Sequence, residues 1–219
     1  MHRESEPQPI ALWLQNIVGN MPPPSADMDC APTQSEASEA KLERVRNMEA
    51  SIPAEWRWAT LEAPDLPGRV QPPSAVEAAR RAVAAPRIAI LGPSGAGKTS
   101  LAVALLRARS SRQSGAAKFF HAFELGLARS RHRLGDGEAA LVEDAMTIPI
   151  ALLDSVGQDD SPRGIEAVRD VVLKRFADSK ATIVTIDLSM DQVTSKFGDG
   201  FARRVLERAT VIRLGVGAK

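Results

Sequence analysis

The chain has a single cysteine, Cys30, in 219 residues. One thiol excludes a disulfide framework and a cysteine-built zinc site. Three histidines do not supply a histidine metal cage. There is no excess of charge: 28 Lys and Arg stand against 27 Asp and Glu, a net of +1. That balance excludes a polybasic nucleic-acid coat and an acidic solvating chain at whole-chain level. No apolar run approaches the ~18–20 residues of a membrane span. The opening MHRESEPQPIALWLQNIVGN has too short and too polar a core for a secretory signal. The expected compartment is therefore the cytoplasm, with no membrane partner. What is present is an ordinary hydrophobic fraction of 44%, enough to bury a sizeable core. The length fits one domain of about 150 residues plus a tail.

The tail is the N-terminal stretch, about 1–50. Ile10–Val18 is a short apolar patch, IALWLQNIV. It reads either as a disordered terminus or as a partner-docking helix anchored by Leu12, Trp13, Ile17 and Val18. Three prolines, Pro22, Pro23 and Pro24, stop helix and favour extended chain. The stretch of about 19–40 reads as a flexible linker. KLERVRNMEA is a short charged helix. IPAEWRWATLEAPDLPGRV reads as an ordered loop packed by Trp56 and Trp58, and SAVEAARRAVAA as an Ala-rich helix opened by Ser74.

From Pro86 apolar strands alternate with amphipathic stretches. Strands are predicted at Arg87–Leu91, Lys118–Ala122, Ile148–Asp154, Ala181–Ile186 and Thr210–Leu214. Helices are predicted at Gly97–Arg109, Phe123–His132, Glu138–Ala145, Gly164–Phe176 and in part of Met190–Leu206. Non-alternating, β-branched strands interleaved with helices imply a five-stranded parallel sheet with helices on both faces, an α/β fold.

The segment Gly92, Pro93, Ser94, Gly95, Ala96, Gly97, Lys98, Thr99 follows a buried strand and opens a helix at Ser100. It fits the phosphate-loop pattern of Gly, four residues, then Gly-Lys-Thr. Glycines let the backbone turn tightly and aim N–H groups at phosphate oxygens, and the helix presents its positive end to the same anion. Lys98 is placed to reach the β- and γ-phosphates, and Thr99 to offer a hydroxyl to Mg²⁺. The expected ligands are ATP and Mg²⁺. Such a site needs an acid at the end of a neighbouring buried strand to hold the metal, and Asp154 at the end of IPIALLD is the candidate. The strand KFFHA lies between the two motifs, which implies an extra strand inserted between the phosphate-loop strand and the acid strand. ATPases of this kind carry a second acid as general base. Here that position is Ser155, whose hydroxyl cannot accept a proton as a carboxylate does. Hydrolysis is then weak, or Asp159 or Asp160 substitutes.

Four ordered segments, GPSGAGKTSLA, IALLDSVGQDDSPRGIEAVRDVVLKRF, ATIVTIDLS and KFGDGFARRVLERATVIRL, resemble the AAA+ P-loop NTPases of the DnaC/IstB-like group. These are helicase loaders of replication and ATPase helpers of transposition. The resemblance covers about 51–215 and sets the core domain at 51–219, with no room for a C-terminal lid domain. It implies nucleotide and Mg²⁺ roles for Lys98 and Thr99, and a metal-associated role for Asp154. It puts Asp187 where the family has a polar sensor that orients the attacking water. It puts Arg204 at the position of an arginine finger that reaches a neighbouring subunit, so a homo-oligomer is expected with ATP bound. Three positions depart from the family: Ser155, Asp187 and Gly200, the last in place of an arginine. Each removes a group that hydrolysis uses, and none removes a group that binding needs. A carboxylate at Asp187 would repel the γ-phosphate if it faced the site. The plainer readings are a solvated strand end for Asp187 and an exposed helix arginine for Arg204.

Between Leu101 and Gly135 the basic residues Arg107, Arg109, Arg112, Lys118, Arg129, Arg131 and Arg133 face one acid, Glu124. Arg129, Arg131 and Arg133 are candidates for single-stranded DNA, or simply a solvated basic face. No aromatic stacking platform accompanies them, since two of Phe119, Phe120 and Phe123 are expected in the core. His121 reads as a core histidine. The functional expectation is an accessory ATPase in DNA replication or transposition, working with a replicative helicase or a transposase. The alternatives are a hydrolysis-deficient, nucleotide-dependent scaffold and a small-molecule kinase.

Overall fold

Five short runs of apolar and β-branched residues form one sheet: β1 (Arg87–Leu91), β2 (Ala117–His121), β3 (Ile150–Val156), β4 (Ala181–Ile186) and β5 (Thr210–Arg213). The structure is a computed structural model that describes residues 34–133 and 135–215. The apolar patch Ile10–Val18 and the proline run lie outside the described residues. The chain divides into two compact units, Met1–Ser38 and Glu39–Lys219. The second holds the sheet and every candidate site residue.

All strand pairs are parallel, in the order β2-β3-β4-β1-β5. The strand that separates β1 from the acid-bearing β3 in space is therefore β4. KFFHA, which separates them along the chain, is instead the edge strand β2. The helices are α1 (Gln34–Ser51), α2 (Leu66–Arg69), α3 (Ser74–Ala82), α4 (Lys98–Arg112), α5 (Ala122–Arg131), α6 (Ala140–Thr147), α7 (Pro162–Ala177), α8 (Met190–Phe197) and α9 (Asp199–Glu207). α1 begins inside the stretch expected as linker. Past Pro32 the sequence QSEASEAKLERVR is made of good helix formers and holds no proline. The Met190–Leu206 stretch is two helices, broken at Gly198.

Period-2 alternation divides each strand between two cores. Ile88 and Ile90 of β1 face a cluster with Leu101 and Leu105 of α4 and Val76 of α3. Ala89 and Leu91 face the opposite cluster, which α5 to α9 cover. The tryptophan loop packs as expected: Trp56 and Trp58 lie against the first cluster. Phe119 and Phe120 are buried, and Phe123 is exposed.

One buried cation ties the layers together. Arg175 of α7 is fully buried. Its guanidinium donates to the carbonyls of Ala145, Ile148, Pro149 and Ala181 and to the Thr182 hydroxyl, at 2.6–3.3 Å. These acceptors lie at the α6–β3 junction and the start of β4. The planar fork of donors suits an array of carbonyls, and burial pushes its pKa down to about 10.

Candidate functional site

The site forms where β1 hands over to α4. Gly95 and Gly97 take φ values of 79° and 88°, conformations that favour glycine. A Cβ on Gly97 would strike the Arg69 carbonyl and the Val70 backbone, whereas one on Gly95 would meet open space. The approach segment, residues 66–71 ahead of α3, thus lies directly against the loop, and the Gln71 N–H donates to the Ala96 carbonyl at 3.1 Å. On the other side, the Gly92 N–H donates to the Ile186 carbonyl of β4 at 3.3 Å. Lys98 opens α4 and is buried. Its ammonium donates to the Pro93 carbonyl at 2.7 Å and pairs with Asp187 Oδ1 at 2.7 Å.

Asp154 is 4% exposed. Its Oδ1 accepts from the Thr185 hydroxyl at 2.8 Å. Its Oδ2 accepts from Thr99 at 3.3 Å and from Ser155 at 3.2 Å. Burial pushes the carboxyl above the ordinary range, against the hydrogen bonds from Thr185, Thr99 and Ser155 and the nearby His121. A register shift between Leu153 and Val156 makes a bulge that sets Asp154 and Ser155 together against Thr185. Ser155 has φ 60°, rare for a residue with a side chain. Its N–H donates to the Thr185 hydroxyl at 2.8 Å.

These donors fit a divalent cation held partly by substrate. The Thr99 hydroxyl and the Asp154 carboxylate are hard oxygen ligands that converge on one point. Magnesium takes one or two such groups and fills its shell with phosphate and water. Among the described residues, no group of three or more His, Cys, Asp or Glu could hold a metal by itself, so a metal here would depend on the phosphates.

The structure corrects several sequence expectations. Asp159 and Asp160, the expected substitutes for the missing base, are both engaged by other groups. Asp159 accepts from the Ser161 N–H at 2.8 Å and packs against Gly126 and Gly164. Asp160 pairs with Lys196 at 2.6 Å. Arg129 is not a free surface cation: it is bonded to Glu138 and to Asp170 and is only 16% exposed. Arg107 is paired with Glu49, Lys118 with Asp144, and Arg109 is buried against the Ala85 carbonyl. Of the seven basic residues, Arg112, Arg131 and Arg133 are the exposed ones. Of Arg129, Arg131 and Arg133, two exposed arginines thereby remain. Arg204 is exposed on α9 and donates to the Gly200 carbonyl at 3.3 Å. His121 caps α5, its Nδ1 accepting from the Phe123 N–H at 3.3 Å.

Two contributors escaped the sequence reading. Thr185 is a polar residue in a buried run, ATIVTI, and that mismatch was its only signal. Gln158, in the loop after β3, donates to Asp187 Oδ2 at 3.3 Å, and nothing in its sequence context marks it.

Residues 78–213 match the family model described as IstB-like ATP binding protein. The chain belongs to that family. This IstB-like chain is thus an AAA+ P-loop protein, and its sheet order and loop-helix junction agree with that assignment. It is also similar to solved structures. The DnaC helicase loader structure has 20% identity and a TM-score of 0.65, over 74% of this chain and 99% of that one. DnaI has 19% identity and a TM-score of 0.59, over 76% of this chain and 95% of that one. AMPPCP-bound DnaA from Aquifex aeolicus has 20% identity and a TM-score of 0.54, over 71% of this chain and 50% of that one. At these identities the likeness is one of fold. No curated protein matches the IstB-like chain. Among its described residues, no helix is long and apolar enough to cross a membrane.

Proposed function

We propose that this chain binds ATP with Mg²⁺ at the loop Gly92–Thr99 and acts in the cytoplasm as an accessory ATPase of DNA replication or transposition, in the manner of a helicase loader. The observation that carries the reading is the convergence of Lys98, Thr99 and Asp154 at the strand ends, with Thr99 Oγ1 3.3 Å from Asp154 Oδ2. Backbone N–H groups of the loop and the start of α4 bind phosphate oxygens. Lys98 neutralises the terminal phosphates. Thr99 and Asp154 hold the metal, which, when bound, spreads the charge that develops on the phosphates.

Arg204 acts in a homo-oligomer. Arg204 is exposed on α9 and hydrogen-bonded to the Gly200 carbonyl of its own helix, which supports a role in reaching the site of a neighbouring copy. Arg131 and Arg133 are the exposed cations for single-stranded DNA, and Ile10–Val18 engages a replicative helicase or a transposase. Hydrolysis is slow, because Ser155 stands where a general base is needed and its hydroxyl is bonded to Asp154. That same observation favours a second reading, a scaffold whose nucleotide gates partner binding without turnover.

Steady-state hydrolysis with and without single-stranded DNA separates the two. The ATPase reading expects slow turnover that Lys98→Ala abolishes and Ser155→Asp raises. The backbone at Ser155, with φ 60°, accepts aspartate better than most residues. Nucleotide binding with no turnover in the wild type or in Ser155→Asp would leave the scaffold reading standing and refute the ATPase one.

A further inference from the structure

The lysine on which a terminal phosphate depends already has an anionic partner. Lys98 Nζ lies 2.7 Å from Asp187 Oδ1, and its side chain is 7% exposed against 24% for Asp187. Two constraints keep the carboxylate there. Asp187 follows the last residue of β4, and β4 is hydrogen-bonded to β1 with Ile186 opposite Leu91. The Gly92 N–H then fastens the Ile186 carbonyl at 3.3 Å, so the Asp187 backbone is fixed beside the mouth of the loop. The other carboxylate oxygen is held by Gln158 Nε2 at 3.3 Å. The carboxylate is therefore gripped from both sides at the place where the ammonium would meet a terminal phosphate.

We propose that Asp187 sets the nucleotide preference of this site: its carboxylate competes with the γ-phosphate for Lys98, so the chain favours a nucleoside diphosphate over the triphosphate. The inference rests on the reading of Gly92–Thr99 as a nucleotide site and deepens it. A diphosphate can use the backbone N–H groups of the loop while Lys98 keeps its internal partner. A triphosphate brings further negative charge to a point a few ångströms from a fixed carboxylate, in a partly buried site where charges act strongly on one another. Entry of the γ-phosphate has to displace Asp187 from Lys98, which also frees Gln158. The aspartate in place of a neutral sensor thus becomes a selector of nucleotide state, with Gln158 as its positioning residue.

The test is equilibrium binding of ADP and of a non-hydrolysable β,γ-methylene triphosphate analogue, both with Mg²⁺, to the full chain and to Asp187→Asn and Asp187→Ala. Asparagine keeps the shape and removes the charge, and alanine guards against a new hydrogen bond. The wild type is expected to bind ADP more tightly. Both variants are expected to raise the affinity for the analogue relative to ADP by about tenfold. A ratio unchanged within about twofold in both variants, with nucleotide still bound, would overturn the inference and leave the nucleotide site intact. Binding of neither ligand by the wild type or by either variant would overturn the nucleotide site, and the inference with it.

Discussion

Gly97→Ala isolates the contact between the approach segment and the phosphate loop, and Gly95→Ala is its control. Both glycines have positive φ, 79° at Gly95 and 88° at Gly97, so alanine brings a similar backbone strain of about 1–2 kcal/mol at either place. They differ in what the new methyl meets. At Gly95 it enters open space, and at Gly97 it strikes the Arg69 carbonyl and the Val70 Cα. Those atoms belong to backbone that is itself held, by the Gln71 N–H on Ala96 and by Arg69 stacked over Trp58 at 4.6 Å. Relief then requires moving a segment, a distortion of the order of 1–3 kcal/mol. Gly97→Ala should therefore be less stable than Gly95→Ala by about 2 kcal/mol, or roughly 4–8 °C in Tm for a domain of this size. Urea denaturation of the nucleotide-free protein measures the difference directly. Equal losses, within about 0.5 kcal/mol, would refute the claim that 66–71 buttresses the loop.

Arg175→Met should lower stability by about 3–5 kcal/mol, because four buried or partly buried carbonyls lose their donor together; a loss under about 1 kcal/mol in denaturant titration would show that water or repacking replaces it. Asp154→Asn tests the buried carboxylate through pH. Burial raises the Asp154 pKa, so the protonated form's contribution is complete below the unfolded value and is lost as pH rises through the folded one. The charge therefore costs stability at neutral pH, and Asp154→Asn should be more stable than wild type at pH 7, with the gain shrinking at pH 3. An equal gain at both pH values contradicts this origin.

Local chemistry was legible in the sequence wherever one short segment carries the whole function. The phosphate loop could be read because its Gly, Lys and Thr are contiguous, and Asp154 because it ends the apolar run IPIALLD, although β3 itself continues to Val156. Strand number and parallel pairing followed from β-branched runs alternating with helices. What stayed hidden depends on which strands are neighbours. Lys98 meets Asp187 because β4, not β2, lies beside β1, and no local pattern fixes that order. Arg129 looked like a surface cation because its partners, Glu138 and Asp170, come from a later loop and from α7. Asp159 looked available as a base because its packing against Gly126 and Gly164 joins two helices. Ser155 was visible as a substitution, but the bulge that holds it against Asp154 and Thr185 is a matter of register.

The central claim is that this chain is a nucleotide-binding protein whose phosphate grip is Lys98. Equilibrium titration of wild type and Lys98→Ala with ATP and with ADP, at fixed Mg²⁺, tests it most directly. Loss of one charged hydrogen-bonding group predicts weakening by about 10- to 100-fold for ATP in the variant, with the fold preserved by circular dichroism. Unchanged affinity for ATP in a folded Lys98→Ala protein, or no binding of either nucleotide by the wild type, would contradict the account.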